Sequence, residues 1–377
     1  MTDLAQLEPA FAAANLPGAI ALIVERDGKL AARAFGQADV AAGVAMEVDT
    51  PCQIASMTKA VVSAAAMKLV EEGRLDLDAP VGPLLPELAD AQVLSGFDAA
   101  GQAILRPAAR PITARHLLTH TAGLGYPFVQ AEIARFVATT PPGRPGTRPS
   151  LRLPLLCEPG EAWHYGIATD WLGLLIEAVT GGTLGDYLAS ALFAPLGMVN
   201  TGFHATLPAG AARVHMRTEA GFKPRSIFIG GGAYHSGGGG LVGTAPDYAR
   251  FIRMILGGGT LDGQQVLRPE TVAEMTRNQV APLRAGYMPS AQPEIAGAFD
   301  AMPGQHSGWG IGFLINPEPG PNGRNPGSLA WAGIFNSYYW IDPKAGLGGM
   351  MLSQLSPFGD PGALELFGAV ERLAYRG

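Results

Sequence analysis

Ser56-Met57-Thr58-Lys59-Ala60-Val61-Val62-Ser63-Ala64-Ala65-Ala66-Met67-Lys68-Leu69-Val70-Glu71-Glu72-Gly73 is the stretch on which the reading of this chain turns. From Ala60 to Glu72 it has no Pro or Gly, is rich in Ala and is apolar around most of its girth, the pattern of a helix buried in a core. Gly73 stops it. Ser56 falls in the first turn, where unpaired backbone N–H groups favour developing negative charge. Lys59, three residues on, lies on the same face. A lysine held in so apolar a setting is expected to lose part of its preference for the charged form, and once neutral it can take the seryl proton. The pair reads as a nucleophile with its own general base one turn away. A serine three residues before a lysine also arises by accident, so the motif counts only with its context.

The bulk properties narrow that context. A chain of 377 residues can bury a large core, and its length suggests two or three domains. The composition is globular, 47% hydrophobic and 15% charged, and a net charge of −6 argues against a nucleic-acid partner. The first residues, Met1 to Glu8, carry acids where a secretory leader needs bases, and no window reaches the ~18 apolar residues of a membrane span. Cys52 and Cys157 make no disulfide framework and lack metal-ligand spacing. The expectation is a cytoplasmic protein with no membrane partner, no metal and no cofactor.

Outward from Ser56, both chain ends read as strands with flanking helices. Leu4 to Ala14 looks helical, Ala19 to Glu25 and Leu30 to Phe35 read as strands, and Asp27-Gly28 between them is a hairpin signal. Ser337 to Ile341 and Leu347 to Leu352 form a similar pair around Asp342-Pro343-Lys344-Ala345-Gly346, and a last helix runs from Pro361 to about Tyr375. The simplest closure puts these strands in one sheet. Between them, Thr113 to Thr119 and Ala168 to Val179 look helical. The Pro/Gly-rich stretches Tyr126 to Leu156 and Asn278 to His306 are too long for simple connectors and are expected to rim a pocket. An α/β part made of residues 1–80 and 285–377, and a mainly helical part of residues 81–284 with lid loops, is the resulting division.

A serine nucleophile needs a proton acceptor, a donor to the leaving group and an oxyanion hole. The signature G-x-S-x-G is absent, which argues against a Ser-His-acid triad on an α/β-hydrolase sheet. Tyr165 follows the turn Glu158-Pro159-Gly160-Glu161 and precedes a helix. Beside a lysine ammonium its phenol could shuttle a proton. In Trp331-Ala332-Gly333-Ile334 two small residues allow close backbone approach, and the Ile334 N–H with that of Ser56 would make a two-donor oxyanion hole.

These segments, in this order, resemble the serine β-lactamase and penicillin-binding protein superfamily, and more closely the class C β-lactamase-like esterases, the family VIII carboxylesterases. S-x-x-K is a signature of that superfamily. The resemblance covers nearly the whole chain. It includes Leu117 to Leu124, Pro195-Leu196-Gly197-Met198, Ser236 to Thr244 and Gly308 to Phe313. It implies an α+β fold, an antiparallel sheet flanked by helices and a mainly helical domain, with the site in the cleft between them. It also implies catalytic roles for Ser56, Lys59 and Tyr165.

Two departures bear on substrate. Where β-lactamases and transpeptidases usually carry Lys-Thr-Gly this chain has Trp331-Ala332-Gly333, and where they carry Tyr-x-Asn it has Tyr165-Gly166-Ile167. A cation suited to a carboxylate and an amide suited to an acylamide are both gone. Short, uncharged carboxylic esters are therefore the expected substrates, cleaved through a Ser56 acyl-enzyme, with Trp331, Ala332, Gly333 and Ile167 binding them. Acyl transfer to an alcohol other than water, residual β-lactamase or D-peptidase activity, and a ligand-sensing domain without turnover are the rival readings. His120 and His164 read as packing residues, Gly237 to Gly240 as crowded backbone, and Asp170 and Glu177 as solvent-facing or helix-capping.

Overall fold

The computed structural model describes residues 2–376. Its centre is an eight-stranded sheet in the order Gly308–Trp309, Leu314–Ile315, Leu329–Gly333, Ser337–Asp342, Leu347–Ser353, Gly18–Glu25, Leu30–Asp39 and Val44–Ala45. Every neighbouring pair is antiparallel, and the two ends of the chain meet where Ala19 pairs with Ser353 and Glu25 with Leu347. The expected single sheet from both chain ends is what forms.

Side chains of the strand Ser337–Asp342 show why it is buried throughout. Tyr338 and Trp340 point to one face, against Phe367 of the C-terminal helix Pro361–Ala374, while Tyr339 points to the other, against Tyr248 of the helix Ala245–Leu256. Alternation along a strand sends successive residues to opposite faces, and a sheet covered on both faces buries them all. The helix Ala245–Leu256 belongs by sequence to the stretch assigned to the helical part, yet it packs on the sheet. Gly348 lets it approach, since a Cβ there would lie 2.8 Å from Ile252 Cγ2.

Local boundaries moved for identifiable reasons. The N-terminal helix splits into a 3-10 turn, Leu4–Leu7, and an α-helix, Glu8–Ala14, because Pro9 lacks the N–H that would join them. The stretch Tyr126 to Leu156 is not a plain loop. It contains the helix Ala131–Thr139, whose Ile133 and Phe136 are buried at i,i+3 spacing, and a 3-10 turn at Arg148–Leu151. The stretch Asn278 to His306 is held by a small pairing of Tyr287–Met288 with Phe299–Asp300. No helix among the described residues is long and apolar enough to cross a membrane.

Candidate active site

Ser56 lies in a 3-10 turn, Ala55–Met57, and the α-helix begins only at Thr58, running to Glu71. The expected first-turn serine is thus one turn outside the regular helix. Ala55 is the cause: its φ of 47° is left-handed, which the chain adopts to swing Ser56 into the cleft. The turn is pinned from several sides. The Ile54 N–H donates to Leu241 O (3.1 Å), the Leu241 N–H to Thr58 Oγ1 (3.3 Å), and the Tyr248 hydroxyl to Met57 O (3.2 Å). From Ala60 to Ala66 the helix has essentially no exposed residue, as its all-round apolar character requires, and Gly73 ends it at φ 68°.

Lys59 is buried, and its ammonium has three acceptors for its three N–H bonds. They are Ser56 Oγ at 3.2 Å, the Tyr126 hydroxyl at 3.1 Å and Gly238 O at 2.6 Å. A neutral amine would keep two of these donors and turn its lone pair to Ser56. Its nitrogen also sits 4.8 Å from the centre of the Tyr165 ring. Tyr126 is therefore a member of the site that the sequence reading missed, noted there only as the start of a loop. Burial, with Asp170 and Tyr165 nearby, holds its phenol protonated well above the usual tyrosine range.

Tyr165 is set by its backbone. A Cβ on Gly166 would lie 2.1 Å from Leu124 O, so only glycine lets the chain close here. Buried Gln130 ties the two tyrosines together. Its amide donates to Tyr165 O (3.2 Å) and accepts from the Tyr126 N–H (2.7 Å). Behind Tyr165 stands an aromatic wall. Its ring lies 4.9 Å from Trp331 and 5.0 Å from His120, and Trp331 lies 4.7 Å from Trp309. The Trp331 indole N–H donates to the Tyr165 hydroxyl at 3.0 Å. Trp331, which stands where β-lactamases usually carry a lysine, thus still supplies a donor to the phenol. His120 is a packing residue as expected, and burial and the Lys59 charge hold it neutral, well below the usual histidine range.

The strand Leu329–Gly333 ends beside the nucleophile turn. A Cβ on Gly333 would lie 2.6 Å from Ile54 O, so the glycine brings the Ile334 and Ser56 segments into contact at the cavity wall. Glu177 does cap a helix, its carboxylate accepting from the Leu184 N–H at 2.9 Å. Asp170 does not behave as expected. It is buried, not solvent-facing, and accepts from Ser236 Oγ (2.6 Å) and the Gly238 N–H (3.1 Å). Burial raises its carboxyl above the usual range, while Lys59, Ser236, Gly238 and Tyr234 oppose that shift. The run Gly237 to Gly240 is crowded backbone as expected, since a Cβ on Gly237 would lie 2.5 Å from Thr169 O.

The cavity above Ser56 holds about 480 Å³. Phe128, Val129, Phe228, Ile229, Trp331 and Phe358 give it an apolar wall, and Ile167, Ala332 and Gly333 line it too. Among the described residues no lysine, arginine or histidine lines it. Both long stretches rim it, through Tyr126 to Leu151 on one side and Met288 to Gly297 on the other.

A serine on a tight turn beside an antiparallel sheet, with lysine and tyrosine next to it, is the S-x-x-K arrangement of the serine β-lactamase-like enzymes. The beta-lactamase family model matches residues 4–370, and the chain belongs to that family; its relatives include acyltransferases and an esterase. Monacolin J acid methylbutanoyltransferase from Aspergillus terreus is 33% identical over 96% of this chain and 92% of its own. Lovastatin esterase from Penicillium rubens is 32% identical over 81% of this chain and 79% of its own. Among solved structures, unliganded simvastatin synthase (LovD) from Aspergillus terreus superposes with a TM-score of 0.85 at 30% identity, covering 99% of this chain and 98% of that one.

Proposed function

We propose that the protein is a carboxylesterase of the family VIII type that cleaves short, uncharged esters through an acyl-enzyme on Ser56. One observation carries this reading: Lys59 Nζ lies 3.2 Å from the Oγ of Ser56, and Ser56 lines an apolar cavity to which no arginine, histidine or lysine side chain among the described residues contributes. Ser56 Oγ attacks the acyl carbon as its proton passes to Lys59. The carbonyl oxygen becomes an oxyanion that the Ser56 and Ile334 amides stabilise. Collapse breaks the ester C–O bond, and the proton leaves on the alcohol by way of Tyr165. Water then attacks the acyl-enzyme, giving up a proton along the same path, and Ser56 is released with the free acid. The substrate is the only partner in this reading, with no nucleic acid, membrane, metal or cofactor, and the two free cysteines fit a cytoplasmic setting.

Acyl transfer is the second reading, favoured by the methylbutanoyltransferase relatives and by a cavity large enough for a second organic molecule. The same groups serve, with an alcohol in place of water. A chain-length series of p-nitrophenyl esters beside nitrocefin, with and without a bulky secondary alcohol, separates the readings. Hydrolysis of short esters at a kcat/KM on the order of 10²–10³ above nitrocefin is expected, because a β-lactam would lose one hydrogen bond to a charged group, worth about 1.5–3 kcal/mol, and one neutral bond to an amide, worth about 0.5–1.5 kcal/mol. Equal rates on nitrocefin and p-nitrophenyl butyrate would replace the esterase with a β-lactamase. A new ester forming faster than free acid would replace it with a transferase. Ser56→Ala should abolish turnover and labelling by a fluorophosphonate; a label on another serine removes the assignment.

A further inference from the structure

The mechanism above leaves unused a buried acid that stands beside the Lys59 amine. Asp170 sits in the first turn of the helix Ala168–Thr180 and is 3% exposed. Its carboxylate takes hydrogen bonds from Ser236 Oγ and the Gly238 N–H. On the other side of the same glycine, Gly238 O accepts from Lys59 Nζ at 2.6 Å. Gly238 has no slack between them, since a Cβ there would lie 2.3 Å from Asp170 Oδ2 and 3.0 Å from the Tyr126 hydroxyl. The titratable groups around this pair are Tyr126, Tyr165, Tyr234 and His120, and the cation acting on Asp170 is Lys59. A buried carboxylate persists as the anion only with a counter-charge and satisfied acceptors, and both are present here.

Resting on the Ser56 acyl-enzyme reading, we propose that Asp170 is a positioning residue for the general base. Through Gly238 it holds the Lys59 amine against Ser56, and it supplies the buried negative charge facing that amine. A buried negative charge favours the protonated state of the site around it, so turnover is expected to extend to lower pH once that charge is removed.

Asp170→Asn keeps the shape and the acceptor oxygen but removes the charge. The acid limb of kcat/KM for p-nitrophenyl butyrate is expected to move about one unit to lower pH. Ser236→Ala keeps the charge and should leave the limb near its wild-type position. An acid limb that stays put in Asp170→Asn while kcat or Tm falls is the signature of a purely structural role and overturns the proposal, as does an equal shift in Ser236→Ala. A second arm reads folding alone. Lys59→Met strands the carboxylate, so adding Asp170→Asn to it should raise Tm, although the same change in the wild-type chain lowers it. No gain in the double variant also overturns the pairing, even if the single Asn variant does not fold. Because that arm needs no turnover, a wild-type protein that fails to cleave esters counts against the esterase and not against the pairing.

Discussion

Three side chains carry the argument at the scale of the residue: Lys59, Tyr165 and Trp331. Lys59 spends all three donors, one of them on Ser56, and Tyr165 stands over it with its hydroxyl held by Trp331. Groups that act as a unit lose activity non-additively. Lys59→Ala and Tyr165→Phe should each lower kcat by on the order of 10² or more, and the double variant should be little worse than the poorer single. Fully additive losses in steady-state kinetics would make the tyrosine a packing residue. Trp331 is buried among Trp309, Trp163 and Tyr165, so a lysine there would lose packing as well as gain charge. Trp331→Phe is the cleaner change. It keeps the apolar wall and removes only the N–H to Tyr165, and kcat should fall about 10-fold with KM little altered, in line with one lost hydrogen bond of about 1–1.5 kcal/mol. An unchanged kcat would mean that this bond does not orient the phenol.

Elements meet at the site through glycine. Gly166 closes the loop before the helix Ala168–Thr180 against Leu124, Gly333 closes the strand Leu329–Gly333 against Ile54, and Gly238 fits between Asp170 and Lys59. At each, the nearest backbone or carboxylate atom leaves no space for a methyl group. Gly166→Ala should therefore displace Tyr165, and a displacement near 1 Å costs roughly 10² in rate. The expected result is a kcat loss of that order with a modest fall in Tm, read by esterase kinetics and thermal denaturation. A wild-type rate would show that the loop relaxes elsewhere. The helix Thr58–Glu71 was legible in advance, because thirteen residues without Pro or Gly, rich in Ala and apolar around most of their girth, have the pattern of a buried helix. The 3-10 turn that carries Ser56 was not, since a left-handed Ala55 has no sequence signal.

Across the whole molecule, Asp342 at the end of the strand Ser337–Asp342 ties the end of the C-terminal helix to the sheet. Its carboxylate accepts from the Asn325 N–H (2.9 Å), Asn325 Nδ2 (2.8 Å), the Ala345 N–H (2.9 Å) and the Tyr375 hydroxyl (2.9 Å). Burial opposes its ionisation, but these donors outweigh it and hold the carboxyl below the usual range. A carboxyl lowered in the folded state stabilises fully above its unfolded value near ~3.9 and loses that contribution as pH falls through the folded value. Asp342→Asn should lower Tm at pH 7, and the gap to wild type should close as the pH drops below about 4. A gap that stays constant with pH would place the effect in packing rather than charge.

By itself the sequence determined the sheet built from both chain ends, the central helix, and the serine, lysine and tyrosine that meet in the cleft. Those features are written in local patterns of period, turn chemistry and motif spacing, which the neighbouring residues along the chain enforce. Only the tertiary structure decided that Asp170 is buried rather than exposed, that Tyr126 and Gln130 join the site, and that the Trp331 N–H serves Tyr165. It also placed a helix, Ala131–Thr139, inside a stretch expected to be loop, although Ile133 and Phe136 carried its pattern. The physical reason is common to these cases. Whether a polar side chain is solvated or a buried partner depends on which segments, tens of residues away, are packed over it, and no local pattern encodes that distance.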